Sequence, residues 1–139
     1  MDKCIRFGIS LPGKMLKKFD ADIKKRGYAN RSEAIRDLIR NRLVETEWEK
    51  DDRETAAAVV LVYDHHKTDI SENLIQQQHA HHDNIIATMH SHLDHDNCME
   101  VIMLRGKASQ IEKLSNQLVS TKNVKLGRYV PATLGDKLE

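Results

Sequence analysis

All eight histidines of the chain fall between His65 and His95, and one of its two cysteines, Cys98, lies just behind them. The dense part reads His90-Ser91-His92-Leu93-Asp94-His95-Asp96-Asn97-Cys98, preceded by His79-Ala80-His81-His82. Imidazole and thiolate together are the donor set of late first-row transition metals. In a strand, alternate side chains share a face, so His90 and His92 point the same way, about 7 Å apart. A tight turn over Asp94–Asn97 would return the chain antiparallel and set Cys98 across from the pair. That hairpin offers two nitrogens and one sulfur. The fourth donor is His79, His81 or His82, at the end of the preceding helix, from the same subunit or a neighbour. His65, His66 and His95 read as surface polar groups, and Asp94, Asp96 and Asn97 as turn formers.

Four protein donors leave no coordination position open for a reacting molecule. Such a site senses or stores, so the expectation is a protein that is not an enzyme and has no small-molecule substrate. Tetragonal N/S ligation suits Ni(II) or Cu(II), whereas Zn(II) imposes a tetrahedron. The residues alone leave copper, zinc and cobalt open. His90-x-His92-x-Asp94-His95 also fits the metal box of metallo-β-lactamase-type hydrolases. That fold needs further ligands well downstream, and no histidine follows His95.

The elements that must hold these donors show in the periodicity. Ala56–Tyr63 reads as a buried strand. Thr68 or Asp69 can cap a helix carrying Ile70, Leu74 and Ile75. Ile85–Leu93 and Cys98–Leu104 read as the two hairpin strands, Ala108–Val119 as a helix with its stripe at Ile111, Leu114 and Leu118, and Val124–Val130 as a last strand. The order βαββαβ is the split-βαβ, ferredoxin-like pattern.

Upstream lies a unit of different character. Residues 1–44 hold 12 Lys+Arg against 5 Asp+Glu, and the remainder holds 10 against 16. A basic N-terminal third is the electrostatic footprint of a phosphate binder. Cys4–Ser10 alternates, with Ile5, Phe7 and Ile9 on one face, and reads as a short strand ended by Pro12. Met15, Leu16, Phe19 and Ile23 form a helical stripe stopped at Gly27. Asn30 then caps a second helix whose stripe is Ala34, Ile35, Leu38, Ile39 and Leu43. One strand and two helices cannot bury their apolar faces alone, and a lone strand leaves its backbone unpaired. Two copies would pair their strands into a ribbon over four helices. The fold class is therefore α+β: a dimeric βαα unit, a polar stretch near Glu45–Thr55 with Trp48 at the junction, and a βαββαβ domain. No apolar run is long enough to span a membrane, and no basic-then-apolar leader opens the chain. Two cysteines this far apart make a poor disulfide framework, which suits a reducing cytoplasm.

The segments Arg6-Phe7-Gly8-Ile9-Ser10-Leu11-Pro12 and Gly27-Tyr28-Ala29-Asn30-Arg31-Ser32-Glu33-Ala34-Ile35-Arg36-Asp37 resemble a ribbon-helix-helix DNA-binding domain. The segments Gln78-His79 and His90-x-His92-x5-Cys98-Met99-Glu100 resemble the nickel-binding part of the NikR nickel-responsive transcriptional regulators. The likeness runs nearly end to end. It implies a ribbon-helix-helix domain at 1–48, a linker at 49–55, and an ACT-like nickel-binding and tetramerisation domain at 56–139. It implies a cytoplasmic homotetramer, a dimer of dimers, that represses nickel-uptake genes from a palindromic double-stranded operator. It further implies one Ni(II) per subunit, held square-planar by His90, His92 and Cys98 of one subunit and His79 of another, with Gln78 and Glu100 orienting the ligands. Arg6, Gly8 and Ser10 would face the major groove, although Gly8 replaces the hydroxyl residue expected there. Glu33 and Asp37, four apart on one helix face, would hold a hard cation such as K+ in the DNA complex. Lys67 would touch phosphate without sequence preference. Two rivals each explain half of the chain: a nickel or copper storage protein leaves the basic unit unexplained, and an antitoxin-like ribbon-helix-helix repressor leaves the His/Cys spacing unexplained.

Overall fold

The computed structural model describes residues 2–50 and 52–135, apart from the side chains of Glu49, Lys50 and Thr68. The chain divides into two compact units between Leu43 and Val44.

The first unit contains α1 (Gly13–Lys25) and the opening turns of α2 (Arg31–Lys50). The Pro12 carbonyl accepts from the amides of Met15 and Leu16, which starts α1. Gly27 ends it at φ +82. There the Tyr28 amide donates to Ile23 and the Gly27 amide to Lys24, a Schellman closure that a residue with a Cβ adopts only under strain. The Asn30 side chain caps α2 by accepting from the Glu33 amide at 2.9 Å. Arg31 clamps Asp20 through two hydrogen bonds of 2.8 Å, and this holds the Asp20 carboxyl below its ordinary range.

The strand expected over Cys4–Ser10 does not form in the single chain: residues 2–12 carry no strand and no helix. Ile5, Phe7 and Ile9 stand 83%, 70% and 56% exposed. The cause is physical. A ribbon strand exists only as half of a hydrogen-bonded pair, and a single copy has nothing to pair with.

The second unit is a four-stranded antiparallel sheet with two helices. Its elements are β1 (Glu54–Asp64), α3 (Thr68–Ala80), a 3-10 turn over His82–Asn84, β2 (Ile85–His92), β3 (Asn97–Lys107), α4 (Ala108–Val119) and β4 (Val124–Pro131). The strand order is β2-β3-β1-β4, so each crossover helix skips one strand. That is the split-βαβ topology expected from the element order. Segment 49–55, which the resemblance implies as a linker, supplies the end of α2 and the start of β1.

The two faces of the sheet differ. Ala57, Val59, Leu61 and Tyr63 of β1 and Ile102 and Leu104 of β3 face the helices, and pack on Ile70 and Leu74 of α3 and Ile111, Leu114 and Leu118 of α4. Their partners in the alternation form a mostly apolar face, with Arg128 and Ser91 on it, that neither α3 nor α4 covers. It holds Val60, Val101, Met89, Met103, Leu126 and Val130, with Met89 72% and Val130 61% exposed. Trp48 packs against the core of this unit, and its indole N–H donates to the Ala132 carbonyl at 2.8 Å.

Gly127 of β4 lies on the helix-facing side, opposite Leu61. A Cβ there would sit 2.6 Å from the Val119 carbonyl oxygen and 2.7 Å from its Cα. Both are backbone atoms, so neither can swing aside. Gly127→Ala should therefore cost about 1–3 kcal/mol through overpacking, read as a lower urea midpoint with an unchanged denaturant slope.

Candidate metal centre

The hairpin β2–β3 sets the donors. His92 pairs with Cys98 and His90 with Glu100. On the other side of β3, Tyr63 pairs with Cys98 and Leu61 with Glu100. Directly opposed residues share a sheet face. Two rows therefore cross the helix-facing side, Tyr63–Cys98–His92 and Leu61–Glu100–His90. The turn between the strands is built as expected. The Asp94 carboxylate accepts from the amides of Asp96 and Asn97 at 2.9 and 2.8 Å and from the Asn97 side chain. These bonds hold the Asp94 carboxyl below its ordinary range.

The His90 and His92 rings lie 5.5 Å apart between centroids, and His90 stacks over Tyr63 at 6.3 Å. Cys98 is fully buried, with its thiol donating to the Tyr63 carbonyl at 3.5 Å. Burial pushes the Cys98 thiol above its ordinary value. A hydrogen bond involving Tyr63 opposes that shift, and the charges of Glu100 and Asp64 add to it.

A polar network runs beside the donors. Glu100 is a buried carboxylate on the strand that carries Cys98. It accepts from the Tyr63 hydroxyl and from the Gln78 amide, each at 2.9 Å. Gln78 in turn accepts from the Thr88 hydroxyl at 3.2 Å. Burial, then the Glu100 charge, drives the Tyr63 hydroxyl far above its ordinary value, so it stays a donor. Strands β1, β2 and β3 and helix α3 are thus tied around the donor face. Tyr63 is the participant that sequence reasoning missed. Its parity in β1 places it on the donor face, which was the available signal.

His79 is exposed in the last turn of α3, in a shallow groove with Ile75, Gln78, His82 and Ile85. His82 contacts the His79 carbonyl and the Asp83 carboxylate, and His81 ends the helix. Among the described residues, the group of three His, Cys, Asp or Glu side chains whose ligand atoms lie within 4.8 Å of one another is His66, His95 and Asp96, not His90, His92 and Cys98. A buried sulfur with two imidazoles on one sheet face fits part of the donor set of late first-row ions.

In the first unit, Arg6, Gly8 and Ser10 are all exposed. Glu33 pairs with Arg36, and Asp37 with Arg40 at 3.1 Å. Asp37 also accepts from the Tyr28 hydroxyl at 2.7 Å, which raises the Tyr28 value.

Residues 56–132 match the family model described as the NikR C terminal nickel binding domain, more than half of the chain. The chain belongs to the NikR family. Residues 5–46 match a second model, the copG-family ribbon-helix-helix protein. The relatives of this NikR-family chain include proteins named as nickel-responsive regulators from Geobacter sulfurreducens, 52% identical, and Nitratidesulfovibrio vulgaris, 51% identical. Each match covers 99% of both chains. An uncharacterized Thermotoga maritima protein of known structure superposes with a TM-score of 0.51 at 14% identity, over 57% of this chain and 98% of its own, and shares the fold alone. The α+β architecture and the ribbon-helix-helix and nickel-binding modules follow from these matches. No helix among the described residues is long and apolar enough to cross a membrane.

If Cys98 holds the metal it does so as a thiolate, and since burial raises this thiol's value, a bound ion would have to displace its proton. Affinity should therefore rise about tenfold per pH unit for that one proton below the thiol's own value. Chelator competition between pH 6 and 8 measures the slope. Cys98→Ser should lower it by one proton and remove the sulfur-to-nickel absorption band.

Proposed function

We propose that the chain represses nickel-uptake genes by gripping a palindromic operator when loaded with Ni(II). The observation that carries this reading is the row of Cys98 and His92, with His90 beside it, in a chain whose residues 5–46 match a ribbon-helix-helix family model. Each subunit binds one nickel through His90, His92 and Cys98, with His79 contributed by a neighbouring subunit. The exposure of His79 at the end of α3 supports that arrangement. Gln78 and Glu100 hold the donor face in register. The chain acts as a binder rather than a catalyst, in a cytoplasm where Cys4 and Cys98 stay free thiols.

The uncovered apolar sheet face supports a homotetramer, a dimer of dimers. Exposed Met89, Met103 and Val130 are what a second copy would bury. The N-terminal segments supply the other interface by pairing into ribbons. A two-stranded ribbon fits the major groove, with Arg6 and Ser10 directed at base edges and Gly8 leaving a gap between them. Glu33 and Asp37 supply a K+ site in the DNA complex once Arg36 and Arg40 turn to phosphate. Lys67 adds contact without sequence preference. This partition assigns 1–48 to DNA, 49–55 to the connection and 56–139 to nickel and assembly.

Nickel ligation across subunits orders the core, and the ordered core favours the arrangement of ribbons that fits the operator. By linkage, operator DNA then tightens nickel by the same factor. Gel-shift titration with and without Ni(II) tests this. Loaded protein should bind about 5–150-fold tighter than apo protein, and equal affinity would sink the proposal. Arg6→Ala should keep nickel binding and weaken operator binding by about 1–3 kcal/mol for each guanine no longer read. Cys98→Ser should leave the fold intact, weaken nickel binding and lose nickel-dependent operator binding.

A further inference from the structure

The surplus positive charge of the first unit has a definite place. Residues 1–44 hold 12 Lys+Arg and 5 Asp+Glu. Four of those carboxylates are taken by arginines. Asp22 pairs with Arg26 at 2.9 Å, Asp20 with Arg31 at 2.8 Å, Glu33 with Arg36, and Asp37 with Arg40 at 3.1 Å. The excess is left largely to lysine, and every lysine of this stretch except Lys3 lies in α1.

At the helical pitch, Lys14, Lys17, Lys18, Lys24 and Lys25 fall within about 120° of arc around exposed Ala21. The opposite arc carries Leu16, Phe19 and buried Ile23. All five lysines are exposed, and among the described residues none forms an ion pair or a side-chain hydrogen bond. Asp20 and Asp22 border this face, yet both are engaged by arginines. Lys14 stands three and four positions from Lys17 and Lys18, a spacing at which like charges destabilise a helix. An anion seated on the face relieves that repulsion. Burying five ammonium groups against a second copy would be costly, so subunit contact is a poor use for this face.

Length as well as sign fits a phosphate backbone. From Lys14 to Lys25 the axis runs about 17 Å at about 1.5 Å per residue. Along that much duplex axis, one strand of DNA presents about five phosphates. Ammonium groups on flexible stems act on phosphate as point charges and read no bases.

We propose that the outward face of α1 is a second DNA surface, separate from Arg6 and Ser10, that holds the backbone of double-stranded DNA without regard to sequence or metal. It rests on the DNA-binding reading of the first unit given above, and not on the nickel site. The apo protein then already lies on DNA, and nickel acts on a resident molecule.

The test is fluorescence anisotropy of the full-length protein with a labelled duplex that lacks the operator, in chelator, over about 50 to 200 mM salt. In Lys14→Gln/Lys17→Gln/Lys18→Gln/Lys24→Gln/Lys25→Gln the plot of log affinity against log salt should become shallower by about 0.9 for each phosphate released, at least two in all. Gln keeps helix propensity, and the milder Lys17→Gln/Lys24→Gln should move the slope the same way. The corresponding Lys→Arg variant should keep the wild-type slope. With Ni(II), operator and operator-free duplex should lose affinity by the same factor. An unchanged slope, or a loss confined to the operator, overturns the surface. So does an equal loss per charge in Lys113→Gln/Lys122→Gln of the second unit, because net charge alone would then explain the effect. If wild-type protein binds operator-free DNA with the expected slope but nickel never sharpens binding to the operator, the repressor reading fails and this surface stands.

Discussion

The register of a single hairpin governs this molecule's chemistry. Side chains in a strand alternate strictly, so a one-residue slip between β2 and β3 would send His90 and His92 to the opposite sheet face while Cys98 stayed put. The register is pinned at the turn, where the Asp94 carboxylate gathers the amides of Asp96 and Asn97 and the Leu93 amide donates to the Asn97 carbonyl at 2.8 Å. It is pinned again along β1, which pairs with β3 over its whole length. The Tyr63–Glu100–Gln78–Thr88 chain of hydrogen bonds adds a third tie. That chain joins β1, β3, α3 and β2 around the donors.

Most of this order was legible because each element carried a strong local signal. The Ala56–Tyr63 run, the two hairpin strands and the stripe of α4 lie where their periodicities put them. The parity of His90 and His92 and the turn before Cys98 placed those three residues on one face without any knowledge of packing. Less visible was anything that depends on tertiary pairing. Tyr63 reads as one more apolar residue of a buried strand until β1 lies beside β3. His66 and His95 look like isolated surface imidazoles when they are 29 positions apart, and become neighbours only because β1 and the hairpin turn end at the same edge.

The N-terminal segment shows the opposite limit. Its alternation is that of a strand, but alternation describes where side chains would point, not what the backbone bonds to. With Ile5 and Phe7 among the most exposed apolar residues of the chain, residues 2–12 describe half of an interface. The sheet of the second unit presents a parallel case, with methionines and valines on a face that neither α3 nor α4 covers. Both features leave apolar side chains in water, and it is on them that the proposed contacts with another copy rest.

Glu100 has a further consequence, for electroneutrality. The fold buries this carboxylate two residues from a sulfur that would have to become an anion to hold a metal. The Tyr63 hydroxyl and Gln78 amide solvate it, but neither offers a formal positive charge. Thiolate and carboxylate together make two negative charges in a poorly hydrated place, and a divalent cation cancels both. A monovalent ion would leave one charge over and a trivalent ion would overshoot. Were Cys98 the ligand, a divalent ion would balance charge in this interior as well as match the donor type.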